Sequence, residues 1–477
     1  MNTVPAYRIG RPAVKLPGEM WNHKRADLLA TLFFAAHVPL AIAMYLLPRV
    51  ATIHSLVVTA VILGLALRQN KSPQLVAYAA AYVAGSEVLW RMCYASTFWE
   101  IGKYAIAFSF VLVLVQLRHL KRHDLALLFF LLLMPSVLLT LFNGPEEIRW
   151  RREFLSFNLS GPFALGVSVW FFYNVHLTRT QFYRLICFML APLTGIATIT
   201  VYATLTAAEL NFTDNSNFVT SGGFGPNQVS AELGLGALLG VLYLLLGRPK
   251  KILGAALFLL TCLCTVQSAM TFSRGGLYCA GGALLLALFA LVQDRGARSR
   301  LMWILPVAVV LAVFVIAPRL NDFTGGALGN RYSDPELTHR DSLVWTDIAL
   351  WQQNFVFGVG PGMGRDIRGN SPHTEFSRML AEHGLFGLGS LLVLVIMTVQ
   401  SVRRAPTAWE KAIALSLVGW SLLFMLVYDM RVAAPSMFFG LSFVTFLKEP
   451  SSAVWRHPAG SFRAPTRPIL ATVRTRL

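Results

Sequence analysis

Charged residues are scarce. Asp, Glu, Lys and Arg together make up 13% of the 477 residues, against roughly a quarter in soluble domains, which excludes an ordinary solvated globular chain. Acids are the scarcer sign, 23 against 41 Lys and Arg. Cysteine is sparse too. Cys93, Cys187, Cys262, Cys264 and Cys279 form no Cys-x-x-Cys pair and no Cys/His cluster of zinc spacing. That pattern speaks against a disulfide framework or a structural zinc, and the five read as small core residues. No cleavable leader is apparent: the first apolar run starts late, is long and lacks a small-residue cleavage site, so it stays as a span.

What fills the chain is apolar. Hydrophobic residues reach 55% and the mean hydropathy is +0.58. Runs of the roughly 17–25 residues that cross a hydrocarbon core recur at 27–47, 52–67, 73–92, 101–117, 125–142, 159–176, 185–205, 228–246, 252–270, 276–293, 301–317, 380–400, 409–427 and 430–447. The expected fold is therefore all-α, a polytopic membrane protein of about fourteen transmembrane helices.

The net charge of +18 is explained by where the cations lie. Arg8, Arg11, Lys15, Lys24 and Arg25, then Arg68 and Lys71, "RHLKR" at 118–122, Arg179 and Arg184, "RPKK" at 248–251, "RGARSR" at 295–300, Arg403 and Arg404, and the tail arginines fall on alternate connections. If the spans simply alternate, all lie on one side, which is the positive-inside pattern and sets both termini in the cytoplasm. A nucleic-acid partner is not needed to account for the basicity, because no compact groove-reading basic face is evident. The chain divides into a basic arm at 1–26, one multi-span domain at 27–447 and a basic, disordered tail at 448–477 suited to anionic lipid headgroups. A large, partly helical outer loop at 318–379 joins the eleventh and twelfth spans.

Outer connections differ in kind from inner ones. Residues 143–158 read as an interfacial amphipathic turn. "SGGFGPN" at 221–227 precedes a span, "MTFSRGG" at 270–276 is a very short break holding Arg274, and 318–379 carries Arg319, Arg331, Arg340, Arg365, Arg368, Arg378, His339 and His373. Outer cations are arginines apart from Lys103. A guanidinium gives two parallel hydrogen bonds to phosphate and cannot lose its proton, which suits a site gripping a diphosphate at a lipid interface. Arg274 sits near membrane depth, where charge is costly and commonly functional. Ser371 as N-cap and Pro372 in the first turn predict a helix running to about 400. His373 would then lie in its first turn, where the helix dipole keeps the imidazole neutral. Glu375 is near enough to orient that ring, and Glu375 and Glu382 share a face that Arg378 can neutralise. His383 reads as packed.

Two long segments, "RDSLVWTDIALWQQNFVFGVGPG" (340–362) and "PHTEFSRMLAEHGLFGLG" (372–389), follow "GGFGPNQVSAELG" (222–234) and "TFSRGGL" (271–277). In content and order these resemble the recurrent segments of the O-antigen ligase and polymerase superfamily over about residues 210–400. The resemblance implies a transferase in the bacterial inner membrane with its active site facing the periplasm. It would move a glycan from an undecaprenyl diphosphate carrier to an acceptor hydroxyl, with inversion and without metal, nucleotide or other cofactor. Carried onto this chain, His373 would be the general base and Arg274 and Arg340 would hold the diphosphate, with Arg331, Asn227 and Glu375 as further candidates for substrate contact. Lipid A-core is the favoured acceptor, as in a ligase; a polymerase would use a second lipid-linked repeat, and a related branch modifies protein. Thr374 departs from the Asn or Ser that often follows the family's histidine, and the chain has a couple more spans than the ligases' usual twelve. Cell-wall glycan polymerases of the shape, elongation, division and sporulation family are a poorer match, since their loop carboxylate has no counterpart. A transporter of the lipid-linked glycan would call for paired repeats and mid-span charges. No internal repeat is found, though Glu87, Arg91 and Glu232 fall inside apolar runs.

Overall fold

In a bilayer every backbone polar group must find a partner within the protein, so apolar runs of this length fold as helices. The computed structural model describes residues 23–449 apart from 69–71, 145, 214, 295–297, 300, 303–305, 307–309, 335–339 and 371. Most of the basic arm and tail, the Ser371 cap, His339 and much of the expected span at 301–317 fall outside the described residues. So does the side chain of Arg340.

The helices in chain order are α1 (His23–Leu46), α2 (Pro48–Leu67), α3 (Pro73–Met92), α4 (Ile101–Gln116), α5 (Asp124–Leu131), α6 (Val137–Asn143), α7 (Ile148–Asn174), α8 (Arg179–Thr206), α9 (Pro226–Leu242), α10 (Lys251–Met270), α11 (Arg274–Leu291), α12 (Ala317–Phe323), α13 (Ala327–Ser333), α14 (Arg340–Gln353), α15 (Met363–Arg368), α16 (Glu375–Arg403), α17 (Ala408–Val427) and α18 (Ala434–Leu441). Two short strands, β1 (His176–Thr178) and β2 (Thr445–Leu447), pair in parallel. Among the described residues nine helices are long and apolar enough to cross a membrane: α1, α2, α7 to α11, α16 and α17. The protein is a polytopic helical membrane protein.

Two of the expected fourteen spans are not continuous helices. The run at 125–142 splits into α5 and α6 around Pro135, whose missing N–H and ring clash interrupt a helix. At 430–447 the eight residues of α18 cover roughly 12 Å. The chain then continues to β2, where Arg404 reaches Thr445 at 3.3 Å and Glu449 accepts from Thr180. A third difference is at 143–158, where the expected amphipathic turn is instead the start of α7, which runs 27 residues from Ile148.

Small residues let helices approach closely without side chains between them. A Cβ on Gly276 of α11 would lie 2.0 Å from the Ser230 carbonyl oxygen of α9. Ser230 Oγ donates to Ser273 O at 2.7 Å across the same seam. Gly276→Ala is expected to wedge α9 and α11 apart and cost about 1–3 kcal/mol. Thermal unfolding of the solubilised chain checks this, and a wild-type midpoint would refute the close approach.

The segment 318–379, expected to be an outer loop, folds mostly as α12 to α15 and is fastened to α16 by an unusual joint. Gly384, within α16, has φ 61 and ψ −135, a conformation closed to other residues. The helix ladder opens there. Leu385 N donates to Phe355 O at 2.8 Å, Val359 N to Ala381 O at 2.9 Å and Gly360 N to Glu382 O at 3.0 Å. Gly358, at φ 70, lies against the Glu382–His383 peptide. The glycines of "GVGPG" and "HGLFG" thus belong to one docking joint.

Candidate functional site

The site begins at the three-residue break between α10 and α11. Phe272 holds φ 57 there, a left-handed conformation that costs a non-glycine residue about 1–3 kcal/mol and persists where surroundings over-determine it. Those surroundings are explicit. Asn217 N donates to Thr271 O at 2.9 Å, Thr220 Oγ1 to Met270 O at 2.5 Å, and Arg331 Nε to Phe272 O at 3.2 Å. The turn delivers half-buried Arg274 to the first position of α11. Its guanidinium donates from Nη1 to the carbonyls of Arg331, at 3.2 Å, and Asp334. Arg274 and the buried Arg331 therefore meet at one corner, with Arg331 also 3.8 Å from Asp334 Oδ2.

Tyr332 completes that corner. Burial pushes its phenol up, and the positive charges of Arg274 and Arg331 offset this only in part. The group stays protonated at neutral pH. Its hydroxyl is buried and has no hydrogen-bond partner among the described residues. A neutral O–H donor beside two guanidinium groups is chemistry that suits an anionic oxygen.

From Ser273 the polar chain continues inward. Ser273 Oγ donates to Asn227 Oδ1 at 2.8 Å and lies 3.2 Å from Tyr428 Oη. Asn227 and Tyr428 in turn line a cavity of about 160 Å³, whose wall also includes Gln228, His373, Asp429 and Arg431. His373 is half-buried. Arg431 donates from Nη2 to Pro372 O at 2.8 Å and from Nε to Asp429, which pins the residue before the histidine.

The geometry corrects the local expectation for His373. α16 begins at Glu375, with Thr374 as N-cap accepting from Phe376 N at 3.3 Å. His373 therefore precedes the helix, and the dipole argument for its neutrality does not apply. Thr374 also donates to Met425 O at 3.4 Å. Thr374 thus serves as the helix cap, a role that Asn and Ser also fill.

Glu375 is placed away from the cavity lining. It is fully buried, pairs with Arg378 and accepts from Met430 N at 3.1 Å. Arg378 also donates to Glu382 at 2.9 Å and to Asn158 at 3.1 Å, so the expected sharing of Arg378 by the two glutamates holds. Arg368 pairs with Asp347 and lies 3.7 Å from Glu382, while Ser377 donates to Asp347 at 2.6 Å. This buried cluster ties α14, α15 and α16 to α7 and holds the 429–431 segment against the cavity. His383 is packed as expected, with Nδ1 hydrogen-bonded to Ser136.

Of the candidate residues, Asn227 and His373 share the cavity; Arg274 follows Ser273, which donates to Asn227, and Arg331 lies beside Arg274. Arg340 opens α14, but its side chain lies outside the described residues. No protein-family model matches the chain, and no curated protein matches it significantly. Sequence reasoning missed Tyr332, Tyr428 and Arg431. Arg431 stood in an expected membrane span, and the one available signal was the charged pair Asp429 and Arg431 interrupting that apolar run.

Proposed function

We propose that the chain is a membrane glycosyltransferase. It moves a glycan from undecaprenyl diphosphate to an acceptor hydroxyl at the periplasmic face of a bacterial inner membrane, with lipid A-core as the acceptor. The observation that carries this reading is that the cavity holding His373 and Asn227 lies one residue from the cationic corner: Asn227 accepts from Ser273, the residue before Arg274, and Arg274 in turn donates to Arg331 O beside Tyr332. A proton acceptor at one end and anion-stabilising groups at the other match the two ends of a glycosyl displacement.

In that reaction the acceptor oxygen attacks the anomeric carbon, and its proton passes to a ring nitrogen of His373. The bond from the anomeric carbon to the phosphate oxygen breaks. The electron pair leaves with the diphosphate, whose growing negative charge Arg274, Arg331 and Tyr332 would stabilise. One displacement inverts the anomeric centre. Asn227 and Arg431 keep the acceptor and the 372–373 backbone in register.

The test is transfer by the purified chain from undecaprenyl diphosphate-linked glycan, run with and without lipid A-core. Product that requires lipid A-core supports the ligase reading. Donor chains that lengthen without it make the enzyme a polymerase with the same chemistry, and no transfer under either condition removes the proposal. Two variants probe the anion end. Tyr332→Phe is expected to lower kcat about tenfold, the effect of one lost charge-directed hydrogen bond. Arg274→Lys is expected to recover little of the activity lost in Arg274→Ala, because an ammonium cannot reproduce the planar fork. Equal rates in the Lys variant and wild type would contradict a bidentate role.

A further inference from the structure

A second cavity lies beside the first and is not used by the mechanism above. It holds about 340 Å³, at the lower end of the roughly 300–1,000 Å³ of small-molecule sites. The α3–α4 connection builds most of it. Its rim is aromatic: Tyr94, Phe98 and Trp99 are 64%, 57% and 40% exposed. Phe224 faces Trp99 at 6.3 Å between ring centres. Its floor is ionic, formed by Glu87 and Arg91, which pair at 2.6 Å.

The floor and the rim are built together. Arg91 lies 4.1 Å from the Trp99 ring centre and donates to Trp99 O at 2.8 Å. Glu87 accepts from Ala433 N at 2.6 Å with its other oxygen. Arg91 Nε is buried and has no partner among the described residues. Tyr94 is held at φ 53, a left-handed conformation, with its hydroxyl 3.3 Å from Gly223 O.

The two cavities share a wall. Phe224 lines one, and Gly225 to Gln228 line the other. Arg91 Nη1 donates to Gln228 Oε1 at 2.8 Å, and Nη2 to Arg431 O at 3.1 Å. The second, aromatic-walled and polar-floored cavity is therefore the immediate neighbour of the first.

An acyl chain does not fit a floor of paired charges, which is costly against hydrocarbon. An isolated phosphate would meet Glu87 beside Arg91. A pyranose ring fits both surfaces: its apolar C–H face lies on the negative face of an aromatic ring, and its hydroxyls both donate to a carboxylate and accept from a guanidinium.

We propose that the Glu87, Arg91, Trp99 and Phe224 cavity is a saccharide subsite that binds the sugar adjoining the one being transferred. This rests on the transferase reading for its place in the reaction, but not for its ligand class. It gives the α3–α4 connection a role in selecting the glycan rather than in the chemistry.

The test uses the full chain in nanodiscs. The probe is end-labelled oligosaccharide released by mild acid from the lipid-linked pool of the cells that make this chain, with binding read by fluorescence anisotropy. Wild type, Trp99→Phe and His373→Ala are expected to bind alike, while Trp99→Ala weakens binding about tenfold. Inorganic diphosphate is expected not to compete. In the transfer assay Trp99→Ala should raise KM and leave kcat near wild type. If Trp99→Ala does not fold, Phe98→Ala at the rim serves in its place. Absence of binding by wild type, wild-type affinity in Trp99→Ala or in its substitute Phe98→Ala, or competition by diphosphate would overturn the proposal. Binding that depends on Trp99 in a chain that performs no transfer would remove the transferase reading and leave the saccharide subsite standing.

Discussion

His373→Ala is expected to lower the rate of glycan transfer by about 10²- to 10⁴-fold, the usual contribution of a positioned general base. The loss should appear in kcat with little change in donor KM, because the side chain faces a cavity and is not among the groups proposed to hold the diphosphate. Folding should survive: His373 is half-buried and stands outside the ion cluster at the start of α16. Added imidazole is expected to restore part of the rate to the Ala variant by occupying the vacated space. Transfer at the wild-type rate in His373→Ala would eliminate the base assignment, and with it the mechanism as drawn.

The largest stability effect is expected from Arg378→Met. Arg378 is 1% exposed and serves Glu375, Glu382 and Asn158 at once. Without it, Glu382 shares Arg368 with Asp347, and Glu375 keeps the backbone N–H of Met430 but loses its cation. Removing one member of a buried ion pair costs about 3–5 kcal/mol, because the charge left behind is not solvated. The unfolding midpoint of the detergent-solubilised chain should fall accordingly. Adding Glu382→Gln should recover part of the loss by deleting one of the orphaned charges, a non-additivity expected of residues in contact. A midpoint unchanged by Arg378→Met would mean that the cluster does not fasten α14 and α15 to α16 and α7. Transfer activity should fall with stability, since Glu375 of this cluster also holds Met430 beside Asp429 and the cavity.

These two variants separate two classes of residue that one motif region contains. The segment from 372 to 389 supplies a histidine to the cavity, yet its charged residues Glu375, Arg378 and Glu382 serve the buried cluster that ties α14 and α15 to α16. The Gly358 and Gly384 backbone and the Glu375, Arg378 and Glu382 cluster position the site without lining it.

The sequence by itself determined that this is a helical membrane protein, because hydropathy over 20 residues is a local property and every span must close its own hydrogen bonds. It also offered His373, Arg274, Arg340, Arg331, Asn227 and Glu375 as candidates, of which His373 and Asn227 line one cavity and Glu375 does not. It did not reveal the break at Pro135, the short α18, or His373 lying before rather than within a helix. Those depend on which carbonyls and caps the neighbouring chain supplies. Only the tertiary structure decided that Arg274 meets Arg331, that Tyr332 and Tyr428 join them, and that Arg431 walls the cavity. These partners are separated by tens to hundreds of residues, and their meeting is set by helix packing and buried ion pairs, which no local pattern encodes.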